Sequence, residues 1–109
     1  VLAKHVRRMR LIYRERATIL VDALRQALGD RLLIPDVTAG LHLTAHALGP
    51  LDDAAVTDAA RQRGIDAPAL SRYRLQDKTA TGFVFGFGNT VPERITPAVR
   101  RFAEIMAAA

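Results

Sequence analysis

Thr81-Gly82-Phe83-Val84-Phe85-Gly86-Phe87-Gly88 alternates strictly along its length. Successive side chains of an extended strand point to opposite faces. Phe83, Phe85 and Phe87 therefore share one side, and Gly82, Val84, Gly86 and Gly88 share the other. The aromatic side supplies core, while the glycine side leaves the backbone open to close approach. Such a strand needs sheet neighbours and a helical layer over its phenylalanines, and the flanking sequence offers both.

Upstream, residues 31–34 and 40–48 read as strands parted by Pro35 and Gly40. In the second, Leu41, Leu43, Ala45 and Ala47 alternate with His42, Thr44, His46 and Leu48, one buried face against one largely polar face. Pro50-Leu51-Asp52-Asp53 then opens a short helix, with Asp52 or Asp53 as N-cap and Gly64 as the stop. Residues 65–70 make a weaker strand candidate, and residues 71–80 are irregular. Downstream of the phenylalanines a last helix begins near Thr90, which has capping-box spacing to Glu93, or near Thr96, which would put Pro97 at the first helical position. Ile95, Val99, Phe102 and Met106 form its inward stripe. Residues 2–28 carry one long amphipathic pattern, expected to end at Gly29 in the left-handed conformation. The order α-β-β-α-β-β-α predicts an α+β two-layer sandwich: a mostly antiparallel sheet of three to four strands with helices on one face. The other face would carry His42, Thr44 and His46 beside a flat glycine strip, the shape of a cleft wall.

The chain has 109 residues, half of them hydrophobic and a quarter charged, which fits one domain. At this mass a folded chain exposes about 5,900 Å² and buries roughly two-thirds of its unfolded surface, enough for one core. With no cysteine, disulfide scaffolds, thiolate zinc sites and thiol nucleophiles are excluded. No apolar run approaches the ~20 residues that span a bilayer, so no membrane partner is expected. The start lacks Met and enters a helical pattern at once, which reads as a segment of something longer.

The formal charge of +5 is concentrated at the start, in Lys4, Arg7, Arg8, Arg10, Arg14 and Arg16, with Glu15 the lone acid among them. A solvated face, a contact with another protein segment, or nucleic acid each accounts for such a block. The helix that carries it would be about 40 Å long. A domain of this size has a radius of gyration near 13 Å, so the first half of the helix is expected to dock on something outside the domain.

Self-contained chemistry is not evident. His42 and His46, four residues apart on a strand, lie about 13 Å from each other, too far to share an ion bound at about 2 Å. Gly86-Phe87-Gly88 lacks the third glycine of a dinucleotide loop, and Asp52, Asp53 and Asp58 match no calcium loop. Ser71-Arg72-Tyr73-Arg74, in the irregular segment, is where loops often hold binding residues, though a plain surface loop reads the same way.

His5-Val6-Arg7-Arg8-Met9-Arg10 followed by Tyr13-Arg14-Glu15-Arg16 resembles a segment of the C-terminal, aminotransferase-like portion of MocR-type regulators in the GntR family. Ala39-Gly40-Leu41-His42-Leu43, Leu70-Ser71-Arg72-Tyr73 and Gly82-Phe83-Val84-Phe85-Gly86-Phe87 are similar to further segments of that family, in the same order. The resemblance spans nearly the whole chain. It implies the small C-terminal subdomain of a fold-type I module that binds pyridoxal phosphate (PLP) in the full-length protein, with none bound by this chain alone. The large subdomain with its Schiff-base lysine and phosphate cup, and a winged-helix DNA-binding domain, would precede it. The family implies a cytoplasmic homodimer that senses a small amine or amino acid. The long helix 2–28 would bridge the two subdomains, and the uncovered sheet face would look toward the cofactor cleft.

One departure counts. Aminotransferases usually hold the substrate carboxylate with a two-pronged arginine near the start of the late strand, and by alignment that place is Val84. Ordinary transamination is therefore disfavoured, and no catalytic residue carries over. Arg72 or Arg74 would have to supply a clamp from the loop, with Tyr73 and His42 the other residues expected near the cleft. Two further readings remain: the small domain of a true PLP-dependent aminotransferase, and a basic module that lays its first helix on nucleic acid.

Overall fold

A computed structural model describes residues 2–36, 42–72, 80–87 and 90–108, though not the side chains of Leu2 and His5. The elements run α1 (Leu2–Leu28), β1 (Leu32–Leu33), β2 (His42–Ala47), α2 (Asp53–Gln62), a 3₁₀ turn (Leu70–Arg72), β3 (Gly82–Gly86) and α3 (Pro92–Ala108). The three strands form one antiparallel sheet in the order β1-β2-β3, with the helices over one face. This is the two-layer α+β architecture expected from the alternation pattern.

The phenylalanines organise the core. Phe83 and Phe85 point into the helical layer, where Phe102 of α3 meets both edge-on, with ring centroids 4.9 and 5.3 Å away. Leu43 and Ala45 of β2 lie beside them, and Leu20, Val21, Leu24 and Leu28 of α1 close the layer from the other side of α3. T-shaped contacts of this kind add about 0.5–1.5 kcal/mol to the burial of each ring. β2 follows the expected alternation, with Leu43 and Ala45 buried and His42, Thr44 and His46 exposed.

Two expectations are corrected, and two open choices of helix start are decided. The strand expected over 65–70 is a single bridge from Ala69 to Phe83, supported by a hydrogen bond from the Val84 N–H to the Pro68 carbonyl. Pro68 has no N–H to donate and interrupts a ladder, so the observed order is α-β-β-α-β-α. Gly29 ends α1 without adopting positive φ. A Cβ there would stand 2.5 Å from the Arg25 carbonyl oxygen, to which the Gly29 N–H donates, so lack of a side chain rather than left-handed backbone is what the position requires. The last helix begins at Pro92, which takes the first helical position, and Pro97 lies inside it. At the other helix start, Asp52 and not Asp53 is the cap, its carboxylate accepting from the Ala55 N–H at 3.2 Å.

α1 is two different objects in one rod. From Ala17 onward it buries six side chains in the core. Among residues 3–16 no described side chain is buried, and Val6 and Leu11 are 41% and 65% exposed. The chain accordingly measures 48 × 32 × 24 Å with a radius of gyration of 14.4 Å. Among the described residues no helix is long and apolar enough to cross a membrane.

Candidate functional site

The face of the sheet turned away from the helices is open. Register places Leu33, His46 and Gly82 in one row across the three strands, Thr44 beside Val84 in the next, and His42 beside Gly86 in the last. Leu33, His42, Thr44, His46 and Gly86 are exposed and Val84 is half-buried. A Cβ on Gly86 would meet the His42 ring at 3.5 Å, so the imidazole edge rests over glycine backbone. A bare backbone row framed by two imidazoles and a hydroxyl is a surface against which a flat, partly polar group can lie.

The candidate residues separate. His42 and Val84 share the open face as diagonal neighbours. Arg72 lies at the opposite end of β3, just past the Ala69 bridge, and its guanidinium is engaged by Asp58 of α2 at 2.8 Å. Tyr73 and Arg74 fall outside the described residues. Arg72 is thus held toward α2 by a half-exposed ion pair. Such pairs contribute up to about 1 kcal/mol, so a stronger carboxylate would displace this one.

Sequence reading missed Asp53. It is 2% exposed, and one oxygen, Oδ2, accepts from the Ser71 N–H at 3.0 Å and from the Gly82 N–H at 3.1 Å. Burial by itself would raise its pKa. Hydrogen bonds from the Ser71 side chain and backbone, and from the Gly82 and Ala54 N–H groups, outweigh that and hold the carboxyl below its usual value. Gly82 makes this possible. Its φ of +143° is open only to glycine, and a Cβ there would run into the Ala45 carbonyl. The start of β3, the 3₁₀ turn and the first turn of α2 therefore converge on one carboxylate oxygen. Two adjacent aspartates before a helix hint that one exceeds the need for a cap. Nothing local, however, shows that the second reaches groups 18 and 29 residues along the chain.

The described residues do not themselves form a site that would hold PLP. Among the described residues the open face bears no lysine: Lys4 is exposed on α1, and Lys78 lies outside the described residues. Nor do the described residues hold a cluster of three His, Cys, Asp or Glu suited to a metal ion. A cavity of about 660 Å³ lies on the helical side between α3 and the turn after α2, with Gly86 of β3 among its lining residues.

No family model matches the chain. It is 28% identical over 98 residues to an uncharacterized HTH-type transcriptional regulator, YhdI, of Bacillus subtilis, covering 90% of this chain and 21% of that protein. It is 31% identical over 97 residues to the probable rhizopine catabolism regulatory protein MocR of Rhizobium meliloti, covering 89% of this chain and 20% of that one. The chain thus spans about a fifth of the length of these relatives. Its fold matches an archaeal alanine:glyoxylate aminotransferase with a TM-score of 0.79 at 16% identity, covering 90% of this chain and 24% of the enzyme. At that identity the match speaks for the fold alone. Sequence and fold point the same way: the chain is similar in sequence to MocR-type transcriptional regulators and in fold to an aminotransferase, consistent with the C-terminal aminotransferase-like portion of such a regulator.

Proposed function

We propose that this chain is the effector-sensing small subdomain of a longer, PLP-binding transcriptional regulator. Its open sheet face forms one wall of a cleft, and the large subdomain upstream forms the other and holds the cofactor. A small amine or amino acid that binds better to the closed cleft than to the open one shifts the population toward closure. Closure repositions winged-helix domains attached to the same polypeptide, in a cytoplasmic homodimer. The chain alone is neither an enzyme nor a sensor.

One observation carries this reading: a sheet packed on one side and bare on the other, in a chain whose relatives are regulators about five times as long. When bound, PLP would supply an aldehyde for the effector's amine. This chain's part is confined to shape and polarity on the facing wall: hydroxyl and imidazole groups from Thr44, His42 and His46, and an apolar spot at Val84. No fixed cation stands at Val84 to select an α-carboxylate, so an amine or a weakly held amino acid suits the wall better than a tightly clamped one.

The test uses the intact regulator loaded with PLP. Operator binding is measured against a panel of the common amino acids and short diamines, in wild type and in Thr44→Trp. Tryptophan at an exposed sheet position leaves the fold and basal operator binding intact but fills the wall. The effective concentration of the active compound should rise at least tenfold. An unchanged dose–response in Thr44→Trp would remove this face from the sensing site.

A further inference from the structure

We propose that the cavity between the outer face of α3 and the turn after α2 binds an organic acid, its carboxylate held by Arg94 or Arg101 and its apolar body lying between them. The described lining is supplied wholly by this chain, so occupancy does not depend on the upstream cleft proposed above.

Sequence makes the trough. Arg94 and Arg101 are seven residues apart on α3. That spacing returns them to within about 20° of the same side of the helix, about 10.5 Å apart along its axis. Between them on that side stand Pro97 and Ala98, whose short apolar side chains leave a low stretch of helix flanked by two cations. The facing turn is low as well. Gly64 adopts a φ of +82°, a conformation suited to glycine, and a Cβ there would meet nothing within 4 Å. The cavity of about 660 Å³ left by these short residues has Ile65, Phe85, Ile95 and Phe102 in its apolar lining. Its size is inside the range of about 300–1,000 Å³ typical of small-molecule sites.

Charge selects the occupant. Neither Arg94 nor Arg101 forms an ion pair or a side-chain hydrogen bond with a described residue. Asp66, the one carboxylate among the described lining residues, already stands 3.9 Å from Arg61 of α2. The lining therefore offers two guanidinium groups with unclaimed donors, and a guanidinium matches a carboxylate with two parallel hydrogen bonds. An amine would meet like charge at both ends of the trough. An uncharged apolar molecule would gain nothing from either arginine, and a small inorganic anion would leave the apolar walls uncovered. An acid with an apolar body satisfies both.

The experiment is a titration with octanoate. 1-Octanol serves as the same body without the charge, and acetate as the charge without the body. Calorimetry measures affinity in the 109-residue chain and in the intact regulator, and amide chemical shifts of the chain locate the site. Octanoate should bind at least about tenfold more tightly than either control and move the amides of Ile65, Ala98 and Phe102. Arg94→Gln/Arg101→Gln, at exposed positions, should weaken octanoate at least about tenfold. Ala98→Leu, which keeps both cations and fills the trough, should do the same. Octanol or acetate binding as tightly as octanoate would overturn the proposal, as would shifts centred elsewhere or affinity indifferent to both variants. Binding present in the chain and lost in the intact regulator would also overturn it, since another part of the protein would then cover the trough.

Discussion

Replacing Asp53 with alanine tests whether one buried oxygen holds the α2, 3₁₀ and β3 junction together. The substitution removes an acceptor shared by the half-buried Ser71 N–H and the buried Gly82 N–H and leaves both donors without it. Each stranded buried donor costs about 1–3 kcal/mol. Allowing for partial relaxation, the total is about 3–4 kcal/mol, a large fraction of the 5–15 kcal/mol typical of a domain. The midpoint of thermal unfolding should fall by roughly 10–20 °C. Asp53→Asn keeps one oxygen that both donors can reach and loses only the charge, so it should cost about 1–2 kcal/mol. The pH dependence has a fixed sign. Because the folded carboxyl titrates below the usual value, its contribution is fully present above the unfolded pKa near 3.8 and is lost as pH falls through the lower, folded pKa. Urea unfolding from pH 6 to pH 2.5 should therefore show the wild-type advantage over Asp53→Asn shrinking below about pH 4. If Asp53→Ala unfolds within 0.5 kcal/mol of wild type, or if that advantage grows toward low pH, the shared-oxygen account is wrong.

Gly82→Ala forces a Cβ into the Ala45 carbonyl at a φ that alanine does not adopt, and should cost about 3 kcal/mol or more in urea unfolding. Phe102→Ala removes the ring on which Phe83 and Phe85 both abut and should cost about 3–5 kcal/mol in the same assay. Val84→Arg, on the open face, should change stability by less than about 0.5 kcal/mol, while lowering the concentration at which carboxylate-bearing compounds act on the intact regulator. The isolated chain should show neither an imine absorbance band on mixing with PLP nor a mobility shift of operator DNA at physiological salt. A band abolished by Lys4→Arg or Lys78→Arg, or a steep salt dependence of DNA binding, would count against the division of labour proposed here.

The architecture was legible where a period repeats. Leu2–Leu28, the alternation around Leu43 and Ala45, and the phenylalanine triplet each state their own face, so layer, buried side and open side follow from the sequence. Boundaries governed by one residue were less so. Pro68 reduces a possible fourth strand to one bridge, and the helix start shared among Thr90, Pro92 and Thr96 offers several compatible caps. Asp53 was illegible for a different reason. Its function as a hub depends on where the chain returns 18 and 29 residues later, and no local spacing encodes that return. The candidate face shows the same divide: His42 and Val84 could be assigned to one surface by parity, whereas the pairing of Arg72 with Asp58 depends on how the 3₁₀ turn lands on α2.

The placement of Asp53 also bears on what the open face is free to do. An antiparallel sheet commonly packs one face on its core and leaves the other to solvent, and here the packed side supplies the ring stack, the α1 stripe and the buried carboxylate junction. β3 is registered from behind, by Phe102 against its rings and by Oδ2 against its first N–H, and its front is not needed to keep it in place. Side chains such as His42, Thr44 and Val84 can then be exchanged at little cost in stability, because the forces that set their positions act on the opposite face and on the backbone. That is the physical condition for one scaffold to read different small molecules: a rigid wall whose chemistry can change without changing its shape. An arginine at Val84 in one relative and a valine in another would alter which compound is held while leaving the register of β2 and β3 as it is.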